Sequence, residues 1–381
     1  MKITGIETIK FHSKIYTSNR NWLLVKILTD DPEVFGIGEA SPLGMENQVE
    51  SILHWWFDNY LDGKDPLDSE VHWTRMHQDM VSRSGRLVAT ALSGIDIALW
   101  DLRGKILGVP TYTLLGGAHK TRLRVYANGW YTTPAAPEMI ADEAKTVVAK
   151  GYTALKFDPF GKESYFNISR EELGLAVGRV AAVRKAVGPN VDILVEAHAK
   201  FNVATAIQIG KRLEEYEPTF YEEPVSYELA AEMADVRNRV DIPIATGERL
   251  YHKYDFFELI AARAVDFLQP DICNAGGITE LKKIAAISES AHLTMAPHNT
   301  NSPIGTMASL HLDASLANFG IQEYHAEFYA ANYFEVVNGL PRQSDGHVQL
   351  SDAPGLGIEL NEDELAKYPY VELGVGHQSG I

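Results

Sequence analysis

The chain opens on three runs that read as strands. Lys2–Phe11 alternates, Trp22–Leu28 (WLLVKIL) is apolar and β-prone, and Phe35–Glu39 (FGIGE) follows a turn at Asp31-Pro32. Joined by turns, they predict an antiparallel meander. Helical spacing then takes over. Over Val49–Tyr60, Ile52, Leu53, Trp56 and Tyr60 share a face. The strongest pattern is Val88–Leu107, where Ala91, Leu92, Ile95, Leu99, Leu102 and Ile106 form an apolar stripe that Gly108-Val109-Pro110 ends. Residues 1–124 therefore read as an α+β unit.

After residue 125 the rhythm changes to short apolar runs alternating with amphipathic stretches. The runs are 124–128 (RVYAN), 154–158 (ALKFD), 192–196 (DILVE), 219–222 (TFYE), 243–247 (PIATG), 267–270 (FLQP), 293–297 (LTMAP) and 320–323 (GIQE). Eight strands, each followed by helical material, predict an α/β fold: a (β/α)8-type, TIM-like barrel over 125–329 behind an α+β capping unit. The tail, 330–381, returns to turns and strands (GHVQL) and is expected to complete the cap. No glycine-rich dinucleotide fingerprint is present, since Gly276-Gly277 lacks its spacing.

Barrels of this kind carry their chemistry at the C-terminal strand ends. Those ends read Lys156-Phe157-Asp158, Glu196-Ala197-His198, Glu222-Glu223-Pro224, Gly247-Glu248-Arg249, Gln269-Pro270-Asp271, Pro297-His298-Asn299 and Gln322-Glu323-Tyr324. Glu196, Glu222 and Glu248 are spaced by 26 residues twice over, so equal βα units bring three carboxylates to equivalent places on neighbouring strands. Converging carboxylates repel unless a cation sits among them, and oxygen-only ligands suit a hard ion, Mg2+ above all. The bland alternative is three separate pairs with Lys or Arg. Asp271 and His298 lie on successive strand ends, as a carboxylate orienting an imidazole base would. His198 is open to three readings: metal ligand, substrate contact or proton donor. Lys156 and Asp158 share a face, so mutual pairing and direct chemistry are both open.

Composition narrows the partners. With 34 Lys+Arg against 51 Asp+Glu, the formal charge is −17, which disfavours nucleic acid. No apolar run approaches the roughly 20 residues of a membrane span. The start lacks a signal-peptide core, and the lone Cys273 excludes an internal disulfide; both fit a reducing cytoplasm.

The helix ATALSGIDIALWDLRGK with its exit VPTYTLLGG, and the strand-end series VEAH, YEEP, TGER, QPD, APH and QEY, resemble the enolase superfamily in its mandelate-racemase subgroup. The resemblance spans essentially the whole chain. It implies Mg2+ on Glu196, Glu222 and Glu248, His298 as the base supported by Asp271, and Glu323 opposite the metal, holding the enolate oxygen through a carboxyl proton. Racemases of the subgroup carry a second lysine where this chain has Asp158. Muconate-type cycloisomerases carry a lysine where it has Asp271–His298. His198 instead matches sugar-acid dehydratases such as galactonate and gluconate dehydratase, where it protonates the leaving 3-hydroxyl. YANGWY and ALKFDPFG are similar to gluconate-dehydratase-like members.

The implied reaction is dehydration of an aldonic acid to a 2-keto-3-deoxy acid through an ene-diolate, with Lys156 near the substrate carboxylate. Sugar-acid epimerisation or lactone cycloisomerisation is the alternative on the same scaffold, and a non-catalytic sugar-acid binder is a remote one. Early loops of the cap would contact the sugar through Tyr16, Arg20 and Asn47, with Asn19 and Met45 nearby, and Asp158 is a further substrate-binding candidate. The resemblance also implies a homo-oligomer.

Overall fold

The computed structural model describes residues 1–15, 18–79, 85–132, 135–161, 164–328 and 331–372. The opening strands form the expected meander: β1 (Ile3–Ile15), β2 (Ser18–Thr29) and β3 (Gly36–Glu39) are antiparallel in that order. Three helices cover it: α1 (Glu46–Trp56), α2 (Ser69–Asp79) and the long α3 (Arg86–Leu107). α3 packs directly on β3 because glycine leaves room. A Cβ on Gly36 would stand 2.0 Å from the Ala98 carbonyl, and one on Gly38 would stand 2.1 Å from that of Gly94. Gly108, at φ 67°, ends the helix in the left-handed conformation.

α3 serves two cores. Ala91, Leu92, Ile95, Ala98, Leu99 and Leu102 pack with Leu23, Val25 and Ile27 of the meander. Ile97 and Trp100 face the other way and join the barrel core. The helix therefore couples the two units physically. A short helix, α4 (Thr111–Leu114), leads into the barrel.

The barrel strands are β4 (Arg122–Ala127), β5 (Ala154–Phe157), β6 (Asp192–Glu196), β7 (Phe220–Glu222), β8 (Ile244–Thr246), β9 (Phe267–Leu268), β10 (Thr294–Met295) and β11 (Gln322–Tyr324). They pair in parallel from β4 to β10, and β11 pairs with β4. The ring closes just before β11, where Met295 N–H donates to Asn318 and Gly320 N–H to Met295, both at 2.9 Å. Helices α5 (Pro137–Ala149), α6 (Arg170–Val187), α7 (Val203–Leu213), α8 (Ala230–Arg237), α9 (His252–Ala261), α10 (Gly277–Ser290) and α11 (Pro303–Ala314) follow the successive strands. No described helix is long and apolar enough to cross a membrane.

The tail contacts both units. Of its strands β12 (Val337–Asn338), β13 (His347–Gln349) and β14 (Glu359–Leu360), β13 pairs antiparallel with β4 of the barrel. Other tail residues reach the first unit: Leu356 N–H donates to Asp101, and Phe11 bridges to Pro369.

Inside the barrel, Tyr126, Ala154, Leu194, Phe220, Ala245, Ala296 and Ile321 form a separate buried cluster. Side chains alternate along a strand, so the next inward position lies two residues on. Those positions are Asn128, Lys156, Glu196, Glu222, Gly247, His298 and Glu323, all polar but the glycine. The strand period alone thus carries the polar residues into the mouth directly above an apolar floor.

Candidate active site

Glu196 and Glu222 are register partners on adjacent strands. Glu248 departs from alternation, since Gly247 at φ 147° turns the chain before it. The three carboxylates offer oxygens that all lie within 4.8 Å of one another. Oε2 of Glu196 and Oε2 of Glu222 are buried without a hydrogen-bond partner among the described residues. Burial and the facing Glu196 push the Glu222 carboxyl far above its ordinary range. For Glu196 burial acts in the same direction, but His198 and Lys156 outweigh it and hold its carboxyl below that range. Orphaned oxygens and crowded negative charge fit a hard cation, which would satisfy both at once.

Lys156 is buried at the centre. Its Nζ lies 2.8 Å from Glu222, 3.2 Å from Glu323 and 3.5 Å from Glu196. Burial opposes its charge, yet Glu222, Glu323, Tyr126 and Glu196 keep the ammonium protonated far above its ordinary range. It does not pair with Asp158, as one sequence reading allowed. β5 ends at Phe157, so strict alternation ends there, and Asp158 turns instead to other partners.

Those partners make a second carboxylate–imidazole pair. Asp158 Oδ2 lies 2.7 Å from His198 Nδ1 and 2.5 Å from Lys200 Nζ, while Asp158 Oδ1 accepts from Phe160 N–H at 2.8 Å. The expected common face of Glu196 and His198 does not come from strand geometry. β6 ends at Glu196, and His198 and Ala199 adopt φ of 49° and 56°. This backbone is uncommon outside glycine. It folds back so that His198 N–H donates to Glu196 Oε1 at 2.6 Å. Burial lowers the basicity of His198, but Glu196 and Asp158 raise it more.

The first pair is as expected from the sequence. His298 Nδ1 lies 2.7 Å from Asp271 Oδ2, and its Nε2 lies 3.2 Å from Glu248. Asp271 is fixed in turn by Cys273 N–H at 2.7 Å and by the Asn301 amide at 3.2 Å to each oxygen. Burial opposes the imidazolium, but Glu248, Glu323 and Asp271 raise the His298 pKa to about 9.

Glu323 accepts from Asn128 at 2.5 Å and from Asn299 N–H at 2.8 Å, besides its ion pair with Lys156. Burial favours its proton, but Lys156 and His298 hold the carboxyl below its ordinary range. Its surroundings therefore favour a carboxylate rather than the carboxylic acid that the resemblance implied. Glu223, on the opposite face from Glu222, receives Arg249 Nε at 2.8 Å.

The cap residues are placed unequally. Arg20 reaches the rim, with Nη2 at 3.5 Å from Thr300 Oγ1, two residues beyond His298, and its guanidinium stands over Trp22. Asn47 is exposed on α1 and accepts from Lys10 at 2.8 Å. Met45 is exposed just before that helix. Tyr16 lies outside the described residues, and the Asn19 side chain is likewise not described. Sequence reasoning missed Asn128, Lys200 and Asn301. Asn128 was signalled by its place two residues after Tyr126; Asn301 lies beyond the strand, where no period applies.

Comparison with known proteins identifies the family. Residues 138–364 match the family described as enolase C-terminal domain-like. Residues 10–116 match the mandelate racemase / muconate lactonizing enzyme N-terminal domain. The chain is 38% identical over 353 residues to the D-gluconate/D-galactonate dehydratase of Picrophilus torridus, covering 91% of this chain and 88% of that one. It is 39% identical over 347 residues to the D-gluconate dehydratase of Thermoproteus tenax, covering 91% and 69%. The crystal structure of a mandelate racemase/muconate lactonizing enzyme from Jannaschia sp. CCS1 superposes with a TM-score of 0.90 at 32% identity, covering 98% and 99%. With both halves of the chain matched and the site assembled at the strand ends, this protein belongs to the mandelate racemase/muconate lactonizing enzyme family of the enolase superfamily.

Proposed function

We propose that the protein dehydrates an aldonic acid of the gluconate or galactonate class to a 2-keto-3-deoxy acid. The observation that carries this reading is the pair of Asp–His dyads beside one carboxylate cluster. His298 with Asp271 supplies a base, and His198 with Asp158 supplies an acid. A cycloisomerase needs no such second dyad. The curated relatives, named for gluconate and galactonate, support the substrate class.

Glu196, Glu222 and Glu248 would hold Mg2+, which would neutralise the second negative charge that develops on the substrate carboxylate. His298 Nε2 removes the proton on carbon 2, with Asp271 fixing the ring through Nδ1. Lys156 donates to the carboxylate oxygen as charge builds there. Glu323, as a carboxylate, orients Lys156 and Asn128 rather than donating itself. His198 Nε2 protonates the 3-hydroxyl as it leaves, its ring fixed by Asp158. The enol then ketonises. Arg20, from the cap, faces the rim on the base side and is assigned to sugar recognition together with Tyr16 and Asn47. The family resemblance supports a homo-oligomer, and the single buried Cys273 suits a cytoplasmic setting.

The test is a panel of aldonic acids incubated with Mg2+ and assayed for keto acid. Product from gluconate or galactonate, lost on adding EDTA, is the expected result. Turnover unaffected by EDTA, or a lactone formed without keto acid, would contradict it.

A further inference from the structure

The two loops that carry the base dyad are pinned by the N-terminal unit. The first loop runs from Asp271 to α10. Ser93 accepts from Gly276 N–H at 2.9 Å, and Trp73 donates to the Gly276 carbonyl at 2.8 Å. Asp96 then takes both donors of Thr279, the N–H at 2.9 Å and the hydroxyl at 2.5 Å. Contact is close enough that a Cβ on Gly277 would stand 2.4 Å from Asp96 Oδ2. Gly277, at φ 79°, is in the left-handed region that suits glycine.

The second loop runs from His298 to α11. Glu39, at the end of β3, accepts from Ser302 N–H at 3.0 and 2.9 Å, from the Ser302 hydroxyl at 2.6 Å and from Gly305 N–H at 2.9 Å. Glu39 and Asp96 are both buried. α11 already has a serine cap, because Ser302 Oγ accepts from Ile304 N–H at 3.2 Å. Glu39 is therefore not required to start that helix; what it adds is a tie between the helix start and β3. Asn301 sits next to Ser302 and donates to Asp271, so a shift of the α11 start moves both halves of the dyad. The acid side differs. Among the described residues, the hydrogen bonds that fix His198 and Asp158 come from the barrel itself.

We propose that Glu39 and Asp96 are positioning residues for proton abstraction: by holding the starts of α11 and α10 against the N-terminal unit, they fix His298 and Asp271 relative to each other. The N-terminal unit thereby sets the geometry of the base side, and is not only a cover. Misplacing a catalytic group by about 1 Å costs on the order of 100-fold in rate.

The proposal rests on the dehydratase reading, which wild-type turnover of aldonates tests separately. The experiment uses the full-length Glu39→Gln variant with Mg2+, a turned-over aldonate and its carbon-2 deuterated form. Glutamine keeps the shape but turns an amide donor toward donors. The kcat is expected to fall about 10- to 100-fold, with KM changed by less than about twofold, and the carbon-2 isotope effect on kcat to rise. The loss is expected to persist with a 3-deoxy-3-fluoro aldonate, in which the carbon 3–fluorine bond breaks to give fluoride and the need for the His198 proton is relaxed. Asp96→Asn is expected to behave alike. Ser302→Ala removes the 2.6 Å bond to Glu39 together with the serine cap on Ile304 N–H, and provides the same readout at smaller size should Glu39→Gln not fold. A role confined to folding would lower the melting temperature and leave the isotope effect and the kcat–KM split unmoved. That result in folded Glu39→Gln or in Ser302→Ala, or rescue by the fluoro substrate, would overturn the proposal.

Discussion

Asp96 offers a stability test that is independent of turnover. Burial drives its pKa from the ordinary 3.8 to about 7, against the Thr279 hydroxyl and N–H and the charge of Lys283, which lower it. Below pH ~4 the group is protonated in both the folded and the unfolded chain, so its contribution to stability is fully present. As the pH rises, the unfolded chain releases the proton first, while the folded chain holds it until about pH 7. The contribution is therefore lost between pH ~4 and ~7, and a shift of this size corresponds to ~4 kcal/mol. In Asp96→Asn nothing titrates at this position. The variant also turns an amide donor toward one of the Thr279 donors, a constant penalty of ~1 kcal/mol that does not depend on pH. Urea unfolding of both proteins, followed by tryptophan fluorescence from pH 4 to 8, separates the two effects. The stability difference is expected to move in favour of the variant by up to ~4 kcal/mol as the pH rises. Parallel curves, with the difference constant to within ~1 kcal/mol, would refute the reasoning.

Other outcomes are expected as follows. Asp158→Asn leaves His198 without its orienting carboxylate, so kcat for dehydration should fall by about 100-fold or more while solvent exchange at carbon 2 falls less. Mg2+ at 100 times its dissociation constant should stabilise the wild type by about 2.7 kcal/mol, seen as a higher melting temperature, and Glu222→Gln should abolish the gain. Asp313 is buried, with neither carboxylate oxygen hydrogen-bonded among the described residues, and burial pushes its carboxyl far up. The wild type therefore loses stability as the pH rises above the unfolded value near 4, so Asp313→Asn should unfold at higher urea than wild type at pH 8, and the gain should shrink toward pH 4.

The alternation that marks a strand also locates much of the site. All the floor residues except Ala245 announce a polar residue two positions later, as from Ala154 to Lys156, Leu194 to Glu196 and Ala296 to His298. Glu248 breaks that period, since Gly247 is in a conformation that resets the direction of the chain. Its place was legible instead from the 26-residue repeat of the βα unit. Beyond the strand ends the period fails, so the shared face of Lys156 and Asp158 leaves their roles open and does not show that Asp158 meets His198 and Lys200. The ties from Glu39 to Ser302 and from Asp96 to Thr279 join residues 263 and 183 positions apart. They depend on how two units dock, which no local pattern encodes. The strand–helix rhythm shows where each loop begins; it does not show what holds the loop still.

The division of labour between the two histidines is tested most directly by His198→Asn with Mg2+ and an aldonate in deuterated water. With His298 proposed as the base and His198 as the acid, deuterium is expected to enter carbon 2 while no keto acid forms. Keto acid formed at the wild-type rate, or exchange lost in His198→Asn yet retained in His298→Asn, would contradict the assignment of base and acid.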